Sequence, residues 1–203
     1  VGSIIPQAKI YEAQLADELM ILNIIDQKSS KDVEFLGFLK KFSEQIFMPL
    51  TVGGGVKTLE CFKILLKNGA DKIFVNSEAI NNPDLINSAS KKFGTQCVVV
   101  GIDFKQVEKG KFRVFTKGGK TNTNLDLFDW VKKCEDLGAG EIVVTDIERD
   151  GTNNGLNIDI AKKLSGFLNI PLIFAGGCGL ASHFVDGFKS ANIDAISAGT
   201  FFA

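Results

Sequence analysis

Apolar, β-branched runs of strand length recur along the chain, separated by stretches in which apolar residues return every three or four positions. The runs "LMILNII" (19–25), "PLTVGG" (49–54), "KIFVNS" (72–77), "CVVVGID" (97–103), "EIVVTDI" (141–147), "PLIFAG" (171–176) and "AISAG" (195–199) predict seven strands. Helices are predicted near 5–16, 32–46, 58–68, 83–93, 124–137, 157–168 and 180–190, with Asp84 behind Pro83 and Asn157 before "IDIAKKL" as helix starts. Alternating strands and helices require parallel pairing through right-handed crossovers. One stretch breaks the alternation: "FKQVEKGKFRVFTKGG" (104–119) reads as a β-hairpin turning at Lys109-Gly110.

A phrase of strand, helix and strand occurs twice, as "MPLTVGGGVKTLECFKILLKNGADKIFVNS" and as "IPLIFAGGCGLASHFVDGFKSANIDAISAGT". Aligning Pro49 with Pro171 places Gly54 on Gly176, Gly55 on Gly177, Asp71 on Asp194 and Ser77 on Thr200. Continuous hydrophobic strands fit a sheet covered on both faces, open or closed. The repeat favours closure, because a barrel of two similar halves makes each strand resemble the one four places on. "PLTVGG" and "PLIFAG" then become the third and seventh strands of a (β/α)₈ TIM barrel. The expectation is one barrel domain over residues 1–203, cut at both ends, with its first strand upstream of Val1 and its C-terminal helix also missing.

Composition narrows the function classes. The formal net charge is −1, so the chain lacks the basic field of a nucleic-acid binder. No apolar run approaches the roughly 20 residues of a membrane span, and a soluble, cytoplasmic protein is expected. Cys61, Cys97, Cys134 and Cys178 lie far apart without CxxC spacing and read as reduced thiols. The only histidine, His183, falls in a helical stretch and reads as a surface or packing residue. No metal-ligand constellation, P-loop or GxGxxG is present, and no cofactor is expected.

Candidate chemistry gathers where strands end. Glycine at the C-terminal end of a barrel strand lets an anion approach backbone N–H groups. Gly54, Gly55, Asn76 and Ser77 form one candidate phosphate site, and Gly176, Gly177, Gly199 and Thr200 form a second. The ends of the seventh and eighth strands are the usual phosphate site of a TIM barrel; finding the set twice implies a substrate with a phosphate at each end. Between them, Asp103 ends "VVVGID" as a candidate general acid or base. "TDIERDGT" offers Thr145, Asp146, Glu148, Asp150, Gly151 and Thr152, although Asp150-Gly151 is also a turn signal.

Taken together and in order, "TVGGGV", "GADKIFVNS", "VVVGIDFK", "GAGEIVVTDIERDGTNNG" and "AGG" resemble the cyclase subunit family of imidazole glycerol phosphate synthase, HisF, over essentially the whole chain. The resemblance implies a barrel that takes ammonia from a glutaminase (glutamine amidotransferase) subunit in a heterodimer. It implies a lyase of histidine biosynthesis that converts a two-phosphate ribotide, phosphoribulosyl formimino aminoimidazole carboxamide ribotide, to imidazole glycerol phosphate and aminoimidazole carboxamide ribotide. It makes Asp103 one of two catalytic aspartates, the other in the first strand. Glu18, Lys72 and Glu141, each opening an even barrel strand, match a charged ring through which ammonia passes. Asn23 and Glu148 stand where histidine-pathway members have aspartate. "KGGKTNT" and "SAGTFF" are similar to a paralogous branch found beside surface-sugar genes, which implies ammonia delivery to a sugar amidotransferase instead. A ribotide isomerase of the same pathway and a docking conduit without chemistry are further alternatives.

Overall fold

The computed structural model describes residues 4–24, 30–199 and 201–202. The chain divides into two compact units, Val1–Val99 and Val100–Ala203. Ile25, the last residue of the first predicted strand, lies outside the described residues.

The first unit holds α1 (Ile4–Ala13), β1 (Leu19–Leu22), α2 (Val33–Ser43), β2 (Leu50–Gly53), α3 (Leu59–Lys67), β3 (Lys72–Val75), the short α4 (Ser77–Asn81) and α5 (Asp84–Phe93). β1, β2 and β3 pair in parallel, with Leu22 beside Gly53 and Gly53 beside Phe74. Every residue of β2 is buried, as a strand covered on both faces requires. The helices begin where side chains cap them: Asp32 accepts from Phe35 N at 3.0 Å, and Thr58 accepts from Cys61 N at 3.3 Å. Phe62 is fully buried and stacks on Phe93, with ring centroids 5.9 Å apart.

β4 (Val98–Glu108) begins at the boundary between the units and continues into the second. There follow β5 (Lys111–Thr116), β6 (Thr121–Asp126), α6 (Leu127–Asp136), β7 (Glu141–Asp146), α7 (Ile158–Ser165), β8 (Leu172–Ala175), α8 (Ala181–Ala191) and β9 (Ala195–Ser197). Along the sheet the order is β4-β7-β8-β9, with β7, β8 and β9 parallel. Phe104 and Phe174, both buried, meet edge to face at 6.2 Å in the core of this unit.

Two expectations are corrected here. The predicted hairpin is one part of a three-stranded antiparallel sheet, because β4 does not end at Asp103 but runs on to Glu108, and β6 adds a third strand against β5. Residues 121–126 are therefore strand, where the first turn of a helix from 124 was predicted. "TNTNLD" has no apolar stripe to bury, Thr123 Oγ1 donates to Val114 O at 2.7 Å, and Asp126 is the N-cap of α6, accepting from Phe128 N at 3.0 Å. α4 and a 3₁₀ turn at Thr95–Cys97 escaped prediction because neither is long enough to show a period.

Candidate functional site

In the first unit, the register that sets Gly53 beside Phe74 brings Gly54-Gly55 and Asn76-Ser77 to the same ends of adjacent parallel strands. Both glycines have left-handed φ, 111° and 62°. Asn23, 9% exposed, joins this end through its N–H, which donates to Gly53 O at 3.0 Å. Ser77 is the first residue of α4 and Asn76 precedes it as N-cap. At the opposite strand ends, Lys72 Nζ meets Glu18 Oε1 at 2.6 Å, the expected pairing of a partly buried lysine.

The second unit holds Asp103, half-buried on β4 opposite Phe115. Thr145 lies beside Ala175 in the β7–β8 register, so the end of β7 adjoins the Gly176-Gly177 turn. Ala175 is in register with Ser197, which sets Gly199 near the same end. Thr200 lies outside the described residues. Asp150 and Gly151 are exposed and form part of a turn, with Gly151 at φ 72°. Glu141 opens β7.

The glycines of this turn answer to the protein's own backbone. A Cβ on Gly176 would lie 2.3 Å from Asp146 O, and one on Gly177 would lie 2.3 Å from Gly155 O. The space a side chain would fill is taken by the β7–α7 loop, so close approach of an anion is not needed to explain why glycine stands there.

The sequence reading missed what holds that loop. Asp146, 4% exposed, accepts from Glu148 N at 3.2 Å and from Asn157 Nδ2 at 3.0 Å. Asn157 does occupy the N-cap position of α7, but its amide turns to Asp146 and makes no cap hydrogen bond. Glu148 Oε2 accepts from Gln106 N at 3.1 Å. His183 is structural: its Nδ1 accepts from Gly179 N at 3.2 Å and Leu180 N at 3.3 Å ahead of α8.

All four cysteines are free thiols. Burial alone would raise the Cys61 thiol, but hydrogen bonds from the Lys57 backbone and the Ser30 and Thr58 side chains hold it below the ordinary value. Burial pushes Cys134 up to about 12. Among the described residues, no cluster of three or more His, Cys, Asp or Glu is placed to hold a metal ion, and no helix is long and apolar enough to cross a membrane.

The model of the family described as "Histidine biosynthesis protein" matches residues 1–203. The chain belongs to the histidine biosynthesis protein family. The fold class is accordingly the α/β TIM barrel, with which the alternation of helix and parallel strand within each unit is consistent. Among relatives, the "Putative imidazole glycerol phosphate synthase subunit hisF2" of Prochlorococcus marinus (strain MIT 9313) is 44% identical over 203 residues, covering 100% of this chain and 77% of the relative. The "Imidazole glycerol phosphate synthase subunit HisF" of Hydrogenobaculum sp. (strain Y04AAS1) is 42% identical, covering 99% of this chain and 79% of the relative. Its namesake in Lactococcus lactis subsp. cremoris (strain SK11) is 44% identical, covering 96% and 75%. Within this histidine biosynthesis family, the present chain sets its polar candidates at strand ends, where barrel enzymes build their sites.

Proposed function

We propose that this chain is the cyclase subunit of imidazole glycerol phosphate synthase, a lyase of histidine biosynthesis. The observation that carries the reading is 42–44% identity, along nearly the whole chain, to proteins bearing that name. The sugar-amidation paralogue is not favoured by those names, nor is the isomerase. In this reading residues 1–203 belong to one barrel domain of a soluble, cytoplasmic enzyme that needs no cofactor. The substrate is the two-phosphate ribotide, to which ammonia is added before the imidazole ring closes and the remaining ribotide leaves.

Asp103 is the proposed acid–base group, since ring closure and cleavage both move protons and a half-buried carboxylate can give and take them. Gly54, Gly55, Asn76 and Ser77 would hold one phosphate; Gly176, Gly177, Gly199 and Thr200 would hold the other, through N–H groups and hydroxyls. Thr145, Asp150 and Gly151 would face the substrate between. Ammonia would come from a glutaminase subunit in a heterodimer, past Glu18, Lys72 and Glu141.

The test is conversion of the ribotide with an ammonium salt in place of the glutaminase. Asp103→Asn keeps shape and removes the ionisable group, so turnover should fall on the order of 10²–10⁴-fold. A loss of only a few-fold would sink the assignment, and an inactive parent would return the sugar-amidation reading. Ser77→Ala and Thr200→Val should each weaken substrate binding; they are preferred to changes at Gly177, which would disturb the turn itself. Lys72→Glu sets like charges where the 2.6 Å pair stands, so glutamine-dependent activity should fall further than ammonium-dependent activity. Equal falls would make the pair structural only.

A further inference from the structure

The β7–α7 loop touches both the strand that carries Asp103 and the turn that carries Gly177, and a single buried carboxylate ties its two ends. At its start, Ile147 N donates to Phe104 O at 3.2 Å and Glu148 Oε2 accepts from Gln106 N at 3.1 Å, which anchors the loop to β4 just beyond Asp103. At its far side, Gly155 N donates to Gly177 O at 2.9 Å, while Arg149 Nη1 donates to Gly155 O at 3.1 Å. Asp146 lies at the centre of these contacts. Its Oδ1 accepts from Glu148 N, its Oδ2 accepts from Asn157 Nδ2 and lies 3.7 Å from Arg149 Nε, and its carbonyl accepts from Asp150 N at 3.0 Å.

We propose that Asp146 is a positioning residue for the cyclase reaction, holding the Asp103 strand and the Gly177 turn in one geometry through the β7–α7 loop. The inference rests on the cyclase reading. A carboxylate 4% exposed is costly to bury unless its partners are fixed, and every partner that holds this one belongs to the same loop or its edges. The repeat points the same way. Leu19 is in register with Leu50 as Ile142 is with Leu172, which makes Asn23 the counterpart of Asp146. Asn23 is also buried, and its N–H donates to Gly53 O, so both halves place a buried polar residue just behind a candidate phosphate turn. Asp146 touches no reacting atom in this scheme; it acts through where it sets Asp103, Asp150 and Gly177.

The experiment compares parent, Asp146→Ala and Asp146→Asn in ammonium-dependent conversion of the ribotide, with thermal unfolding and a pH–rate profile for each. Turnover by the parent tests the cyclase reading; the ratio of variant to parent tests this inference. Misplacing a site by about an ångström can cost on the order of 100-fold. Asp146→Ala should therefore lower kcat per folded molecule about 10- to 100-fold with a smaller change in KM, and should leave both limbs of the pH profile where the parent has them. Asp146→Asn should recover most of kcat, because Asn157 can turn its amide to present an oxygen to the new donor. A kcat for Asp146→Ala within about threefold of the parent would overturn the proposal. Loss of a pH limb in both variants would overturn it too, by making Asp146 itself the proton carrier. Should Asp146→Ala not fold, Asn157→Ala decides: it removes one tie only, and an unchanged kcat counts against the inference.

Discussion

β2–α3–β3 in the first unit and β8–α8–β9 in the second are built on one plan, and they agree and differ at opposite ends of their strands. Where the strands begin, the hydrogen bonds match. Leu50 N donates to Asp71 Oδ2 at 2.8 Å and Leu172 N to Asp194 Oδ2 at 2.8 Å, while the two aspartate N–H groups donate back to Leu50 O and Leu172 O at 2.9 and 3.1 Å. Pro49 O and Pro171 O each accept from the neighbouring strand at 3.0 Å. Where the strands end, the copies diverge. Gly53 faces Phe74 in the first, and Ala175 faces Ser197 in the second. α3 is capped by Thr58 with Cys61 beside it, whereas the turn before α8 is held by His183, the residue aligned with Cys61. Backbone register tolerates little change, since a one-residue slip turns every side chain to the other face. Strand ends in a barrel can vary without disturbing it, and there the chemistry resides. One difference lies at the beginning: Lys72, paired with Glu18, corresponds to Ala195, while Glu141 stands where Glu18 does.

The largest effect expected comes from the glycine-bearing strand ends. Gly177→Ala would set a methyl 2.3 Å from a backbone oxygen at φ 94°, and should lower the unfolding free energy by roughly 2–5 kcal/mol. Gly199→Ala meets nothing within 4 Å and should change stability little. Urea unfolding of the two variants side by side would separate them, and equal midpoints would show that the Gly177 turn moves freely.

The shared ends give the next effect. Asp71→Ala and Asp194→Ala each leave a strand N–H without its acceptor and should cost about 1–3 kcal/mol apiece. If the two clamps are equivalent and independent, the double variant should equal the sum to within ~0.5 kcal/mol. Markedly unequal single losses would break the equivalence.

The smallest effect sharpens the exchange of small and large residues. A Cβ on Gly53 would come within 2.9 Å of the Leu22 side chain and 3.0 Å of Phe74. Gly53→Ala should cost about 1 kcal/mol, within the lower range for overpacking, and Phe74→Leu should relieve part of that loss. A double-mutant cycle with no coupling would mean the two positions are packed independently.

Much of this was legible before folding was considered. The strands and helices follow from apolar periodicity, and the repeat identified Asp71 with Asp194 before their clamp was visible. The family could be read from "VVVGIDFK" and "TDIERDGT" as they stand. What stayed hidden is equally specific. β6 carries no apolar alternation and exists because β5 offers it partners. Asn157 looked like a helix cap, and Asp146 like one more polar residue at a strand end. Their hydrogen bond depends on the path of the loop between them, which no local pattern encodes.

Periodicity is written residue by residue, because burying one face of a helix or strand needs apolar side chains at fixed local spacing. The sequence by itself thus determined the alternation of the longer strands and helices, the repeat and the family. Whether the space beside a glycine is taken by the protein's own carbonyl, and whether an asparagine at a helix start caps that helix or turns to a buried carboxylate, was decided only by tertiary structure. Those outcomes depend on the path of the loop, which brings the Gly155 carbonyl against Gly177 and the Glu148 N–H and Asn157 amide to Asp146.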